Sequence, residues 1–251
     1  MKQESFTGFM REVMDELRQE ERFSTAHIYK YALAAFTDFV GGGEIFFGAL
    51  TRRWMKRFQE YLEDLQRSYN TISTYVRVLR AVYNRAVDRG LISGEYRLFA
   101  GMKTGVSSER KLAVSAEQMS NLLDKNLRSR LSEDVCEAQD TLALMLLLQG
   151  MPYADLVHLH KGNLNGNLLV CHRRKTGTEL CVKVLPEAMR LIERYRNRDA
   201  DSPYLLNMLS GKQCGEAAFH EYRDKLRSLN SGLSRLSKVC GLEGVKVSSY
   251  T

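Results

Sequence analysis

The chain has 251 residues, 44% of them hydrophobic and 27% charged, a balance that fits a folded protein of one large domain or two ordinary ones. It holds no apolar run of about 18 residues, which excludes a membrane-spanning helix. Its first twenty residues mix charges with apolar positions and so lack the unbroken core of a secretory signal. The net charge of +7 is unevenly spread. Residues 1–50 carry 5 Lys/Arg against 8 Asp/Glu, and residues 51–97 carry 10 against 5, nine of the ten being arginine. A change of sign on that scale within one helical region points to a face built for phosphates.

No proline occurs before Pro152, and the first hundred residues read as a helical bundle. Phe6, Phe9, Val13, Met14 and Leu17 form an amphipathic stripe over 5–21. Ser24 or Thr25 can cap a second helix whose apolar positions are Ile28, Tyr31, Leu33, Ala35, Phe36 and Phe39. Gly41-Gly42-Gly43 ends it. A third helix spans about 51–66, with Trp54, Met55, Phe58, Tyr61, Leu62 and Leu65 on its apolar side. A fourth follows, capped by Asn70 or Thr71. Ile72, Tyr75, Val76, Leu79, Val82, Tyr83, Ala86 and Val87 fall on one side of its wheel, and Ser73, Arg77, Arg80 and Asn84 on the other. Gly90 closes it, and Leu91-Ile92 is expected to pack back under the bundle.

Residues 101–111 are small, charged and aperiodic, a linker between a domain over 1–100 and another over 112–251. Beyond it the pattern becomes mixed α and β. Ser115 and Gln118 make a capping box for a helix to about 124. Asp140 to Gln149 is a strongly apolar helix, and a short helix after Pro152 holds Leu156, Val157 and Leu159. Strands at 167–173 and 178–184 are joined by Lys175-Thr176-Gly177, with glycine where a positive φ is needed. Pro186 opens a helix to 196, and 215–239 is helical. The five cysteines form no CxxC pair and have no histidine at ligand spacing. They read as reduced, mostly buried thiols of a cytosolic protein, with no metal site. No GxxxxGK[ST] sequence is present, so no nucleotide site is expected.

Three segments in this order resemble the tyrosine recombinases, the phage-integrase family: SYNTISTYVRVLRAVYNRAVDRGLI (68–92), LALMLLLQGMPYADLVHLHKGNL (142–164) and LLVCHRRKTGTELCVKVL (168–185). The resemblance implies a mainly α fold with a small antiparallel β hairpin or sheet. A helical-bundle, SAM-like core-binding domain would precede an α+β catalytic domain, and double-stranded DNA would be the partner. The family's chemistry is site-specific DNA recombination or integration without metal, nucleotide or other cofactor. A tyrosine attacks the scissile phosphate and forms a 3′-phosphotyrosyl link. Cations must stabilise the charge that builds on the phosphoryl group, and a tyrosine of pKa about 10 needs activation.

Carried onto this chain, Lys175 falls at the hairpin lysine that protonates the leaving 5′-oxygen; an ordinary solvated turn lysine is the structural alternative. Arg173 and Arg174 would lie beside the DNA. Thr74, Arg77 and Arg80 on the fourth helix, with Arg52, Arg53, Lys56 and Arg57 on the third, are the DNA-contact candidates, against the alternative of a solvated charged face. The family's Gly-Leu-Arg-x-x-Glu-Leu pattern is here Gly150-Met151-Pro152-Tyr153-Ala154-Asp155-Leu156. Proline holds the place of the first catalytic arginine, a departure that resembles a subgroup of integrases from Bacteroidetes and implies a substitute cation. The stretch GVKVSSYT (244–251) resembles the lead-in to the family's His-x-x-Arg box, which the nucleophile follows. The chain is therefore expected to carry an incomplete catalytic domain, to bind DNA without forming a covalent adduct, and to be monomeric when free, although the family works as a tetramer. Tyr250 precedes the box and is not expected to be the nucleophile. The resemblance also implies a cytoplasmic, nucleoid-associated bacterial protein of a mobile element. The competing expectations are a non-catalytic DNA-binding protein of recombinase ancestry and a helical protein-interaction module that binds no DNA.

Overall fold

The computed structural model describes residues 4–95, 97–107, 114–242, 245 and 247–249. The chain divides into two compact units, Met1–Glu109 and Arg110–Thr251. The described residues are mostly helical, with one small antiparallel sheet, the fold class expected from the sequence.

The first unit is a four-helix bundle of α1 (Phe6–Gln19), α2 (Phe23–Phe39), α3 (Arg52–Asp64) and α4 (Tyr69–Asp88). Ser5 caps α1 by accepting from the Gly8 N–H, and Thr51 caps α3 by accepting from Trp54. An aromatic cluster fills the centre. Phe36 meets Phe6, Trp54 and Phe58 edge-on at centroid distances of 5.5, 5.0 and 5.0 Å, the arrangement favoured by the ring quadrupoles. Below it α4 buries Ile72, Val76, Leu79, Val82 and Ala86.

Several local expectations are corrected. α2 starts at Phe23 with Arg22 at its N-cap and no side-chain cap, so neither Ser24 nor Thr25 serves. Ile28 and Tyr31 are exposed, while Ala26, Ala32 and Phe36 are buried. Apolar residues surround that helix, and periodicity alone does not choose the buried side. Ser68 caps α4, its hydroxyl accepting from the Thr71 N–H, in place of Asn70 or Thr71. Gly90 (φ +70°) closes α4 with bonds from Gly90 N to Val87 O and from Leu91 N to Ala86 O, the paired closure that needs a left-handed residue. Leu91 is left exposed; Ile92 packs on the core and Leu98 is buried.

Residues 101–107 are fastened to the first unit. The Lys103 N–H donates to Gln59 Oε1, Ser73 Oγ donates to Gly105 O, and Asn70 exchanges two hydrogen bonds with Ser107. Ser73, placed on the polar face from the sequence, is therefore buried beneath this strap. Residues 108–111 of the expected linker lie outside the described residues.

The second unit runs α5 (Ala116–Leu122), α6 (Glu133–Leu147), α7 (Tyr153–Leu156), β1 (Leu164–Asn165), β2 (Leu168–His172), β3 (Glu179–Lys183), α8 (Pro186–Arg194) and α9 (Gly215–Val239). The strands form one antiparallel sheet in the order β1-β2-β3, with Leu169 opposite Val182 and Cys171 opposite Leu180. Ser115 and Gln118 form the capping box of α5. α6 begins seven residues before Asp140, which therefore sits mid-helix, 5% exposed. It stays charged there because Arg128, Arg194 and the Tyr195 hydroxyl all donate to it. α6 packs on α9 where Gly232 leaves no side chain in the way: a Cβ there would stand 2.6 Å from Ala138 Cβ. Of the free cysteines only Cys171 is buried, and Cys181 and Cys214 are exposed, which corrects the expectation of mostly buried thiols. No helix among the described residues is long and apolar enough to cross a membrane.

Candidate functional site

α3 and α4 of the first unit carry the expected cations on their outer faces. Arg52, Arg53, Lys56 and Arg57 are all exposed, because 52, 53, 56 and 57 alternate with the buried Met55 and Phe58 at helical spacing. On α4, Arg77, Arg80 and Asn84 are exposed at the same period. Thr74 is half-buried, its hydroxyl donating to Asn70 O at 2.7 Å. The charges of α4 sort into two groups. Arg85 and Arg89 both close on Glu16 of α1, at 2.7 and 2.8 Å, and hold that carboxyl below its usual range, the Arg89 hydrogen bond contributing most. Arg77 and Arg80 have no carboxylate partner, nor do Arg52, Arg53 or Arg57, among the described residues; Lys56 reaches Glu60 only at 3.9 Å. The first group ties the bundle together, and the second leaves its charge available to a ligand. Beside α4, Arg80 and Asn84 border a groove of about 310 Å³ together with Glu95, Arg97 and Phe99.

The second unit contains a cavity of about 610 Å³ lined by Met145, Leu146, Gly150, Pro152, Asp155, Arg173, Arg174, Lys175 and Ser249, among others. The β2–β3 turn supplies its cations. Arg173 N donates to Thr178 O and Gly177 N to Arg173 O, with Gly177 at φ +71°, so the turn closes with its basic residues presented together. Asp155 of α7, only 7% exposed, anchors that turn. Its Oδ1 accepts from the Arg174 backbone N–H at 3.0 Å, and its Oδ2 lies 2.9 Å from Arg173 Nε. That second contact is an ion pair without an aligned hydrogen bond, since the Arg173 Nε proton has no acceptor in line. Three cations thus surround the cavity against one buried carboxylate, and a buried carboxylate persists only where charge and donors meet it.

Lys175 and Arg174, exposed residues of the turn, and the half-buried Arg173 share this cavity with Pro152. The sequence put the three basic residues on one hairpin but did not bring Pro152 to them, nor did it single out Asp155 or Ser249. Asp155 carried a signal, its place in the acidic-Leu pattern after Pro152. The polar atom of Ser249 is visible as a site feature only in three dimensions. Its residue is 7% exposed, its N–H donates to Asn230 Oδ1 of α9 at 2.9 Å, and its hydroxyl has no partner. Tyr250 lies outside the described residues. His158, two residues beyond α7, is near enough to feel the charges of Arg174 and Asp155: its Nδ1 is 2.7 Å from Ala154 O, it packs on Tyr204 and Tyr222, and burial, the largest influence, pushes its pKa down.

Comparison with known proteins places this geometry. Residues 5–100 match the family model of the phage integrase SAM-like domain. Among solved structures, the chain is similar to a lambda integrase dimer bound to a COC′ core site, at 12% identity and a TM-score of 0.67 over 98% of this chain and 86% of that one. It is similar to a lambda integrase tetramer bound to a Holliday junction, at 12% identity and a TM-score of 0.62 over 92% and 64%. A Tn1549 transposon integrase in complex with a circular intermediate DNA matches at 12% identity and a TM-score of 0.59 over 98% and 83%. At this identity the likeness is one of fold. No curated protein matches the chain.

Proposed function

We infer that this chain, with a phage integrase SAM-like domain over residues 5–100 and the fold of the integrases, is a tyrosine recombinase that binds double-stranded DNA for site-specific strand exchange. The observation that carries the reading is the sorting of charge on the first unit. Arg85 and Arg89 are taken up by Glu16, while Arg52, Arg53, Arg57, Arg77 and Arg80 stand exposed with no carboxylate partner among the described residues. None of these five guanidinium charges is neutralised by a carboxylate among the described residues, and each can displace a condensed counterion from a DNA phosphate. Thr74 and Lys56 extend the same faces. Such contacts fix the position on the duplex and read little sequence.

In the second unit the cavity is the place for a phosphodiester. Lys175 has the reach and the three donors to protonate or hold a leaving oxygen. Arg173 answers the departure at Pro152. Its Nε edge faces Asp155, and the guanidinium keeps further N–H donors for an anion, so a cation from the hairpin serves where the family's pattern has one at position 152. Asp155 then acts as an orienting group for the hairpin rather than as a reactant.

Duplex binding measured between about 50 and 200 mM salt tests this reading: a loss of affinity of tenfold or less excludes a multi-phosphate footprint. Pro152 favours a second reading, a DNA-binding protein of recombinase ancestry that transfers no strand. A suicide duplex, on which strand transfer leaves a denaturant-resistant protein–DNA band, separates the two. Loss of that band in Lys175→Ala is the result expected for a working strand-transfer site, and the appearance of any band overturns the expectation that this chain forms no covalent adduct.

A further inference from the structure

Among the described residues only three buried side-chain polar atoms lack a hydrogen-bond partner: Gln139 Oε1, Arg173 Nε and Ser249 Oγ. Two of them, the two that can donate, belong to residues lining the same cavity. A buried donor left unmade costs about 1–3 kcal/mol, and such groups are rare enough that each calls for a reason. Arg173 Nε already faces Asp155 Oδ2 at 2.9 Å, which leaves the Ser249 hydroxyl as the donor with no partner of any kind. It lies at a cavity also lined by the cations Arg173, Arg174 and Lys175, a surface suited to an anion.

We propose that Ser249 is a phosphate-holding residue of this cavity, its hydroxyl donating to a non-bridging oxygen of the DNA phosphodiester that Arg173 and Lys175 hold electrostatically. The residue is well placed for that role. Val247 is in the hydrophobic core of the second unit at 3% exposure. The Ser249 N–H is fixed on Asn230 Oδ1 of α9, so the main chain around the hydroxyl is held from two sides. The opposite wall is the β2–β3 turn, tied down through Asp155. The hydroxyl is neutral, and it contributes direction to a site whose cations contribute charge. A serine here accepts no proton and takes part in no bond breaking; it orients the phosphoryl oxygen.

The inference rests on the recombinase reading only for the identity of the anion, and the test keeps the two apart. Inorganic phosphate is titrated against the full chain while the amide and side-chain NMR signals of Arg173 and Ser249 are followed, and duplex binding is measured across a salt series for the parent chain, Ser249→Ala, Ser249→Thr and Arg173→Ala. We expect phosphate to shift both signals. Ser249→Ala is expected to weaken duplex binding about tenfold, the scale of one hydrogen bond to a charged group, at every salt concentration and without a change in the slope of log K against log salt. Arg173→Ala makes that slope shallower by about one, and Ser249→Thr, which keeps the hydroxyl, restores most of the affinity. Parent-like binding by Ser249→Ala overturns the proposal, as does a loss that Thr fails to restore or that comes with a lowered melting temperature. If phosphate shifts the cavity signals but the parent chain binds duplex weakly and without steep salt dependence, the recombinase reading fails and the anion site stands. Steep salt-dependent duplex binding with silent cavity signals has the opposite meaning, and sinks this proposal alone.

Discussion

Asp140 and His158 illustrate two ways a single buried titratable residue constrains the second unit. Burial is the largest influence on Asp140 and pushes its pKa up, but the donors Arg128, Tyr195 and Arg194 together outweigh it and hold the carboxyl below its usual range. The folded chain therefore binds the Asp140 proton less readily than the unfolded chain does. Its contribution is complete above the unfolded value of about 3.9 and is lost as pH falls through the lower folded value. Asp140→Asn keeps the shape but leaves two guanidinium groups facing a neutral acceptor. Since Arg128 and Arg194 are partly solvated, the expected loss is about 2 kcal/mol, below the 3–5 kcal/mol of a fully buried pair; chemical denaturation at pH 7 checks it. His158 has the same sign by another route. Burial, its largest influence, lowers its pKa, so the unfolded chain takes up a proton that the folded one refuses. Stability should fall as pH drops below about 6.5, and His158→Gln should remove that component when melting temperatures are compared between pH 7 and 5.

At the scale of elements, the α6–α9 packing depends on one missing side chain. With a Cβ at position 232 only 2.6 Å from Ala138 Cβ and 3.3 Å from Asp134 O, the helices must separate to admit it. Gly232→Ala should destabilise the chain by about 1–3 kcal/mol, even though alanine is the better helix former. A second change, Ala138→Gly, should recover part of that stability, and a double-mutant cycle by denaturant unfolding measures the coupling. α4 shows the complementary case, a helix whose two polar functions are separated along its length. Its last turns place Arg85 and Arg89 on Glu16, and its middle leaves Arg77 and Arg80 outward.

At the scale of the whole molecule, that separation makes DNA binding and folding independently testable. Arg77→Ala with Arg80→Ala should leave the melting temperature nearly unchanged, because neither side chain is in an ion pair among the described residues. The same pair should reduce the slope of log K against log salt by roughly 2, about 0.9 for each phosphate that is no longer neutralised. Arg85→Ala with Arg89→Ala should do the reverse, lowering stability through Glu16 with little change in slope. Anisotropy titrations on duplex DNA, run beside thermal melts, distinguish the two pairs.

Much of this was legible in the residues alone. Helix positions followed from apolar periodicity, the capping box from Ser115 and Gln118, the hairpin from its alternation and Gly177, and the outward cations from their phase against Met55, Phe58 and Leu79. These are short-range facts, set by a few neighbours in sequence. Other features depended on groups far apart in the chain. Ser68 outcompeted Asn70 as a cap because Asn70 is engaged with Ser107, and Ser73 went inward because Gly105 offered its carbonyl. Asp140 could sit inside an apolar helix because Arg128, Arg194 and Tyr195 converge on it. Arg173 and Ser249, 76 positions apart by their numbers, came to line one cavity only through the packing of the hairpin, α7 and α9. The sequence by itself determined the elements and the sign of their faces, since helix phase and charge are local properties. Only the tertiary structure decided which polar groups find partners and that the Ser249 hydroxyl is left without one at a cavity lined by three cations.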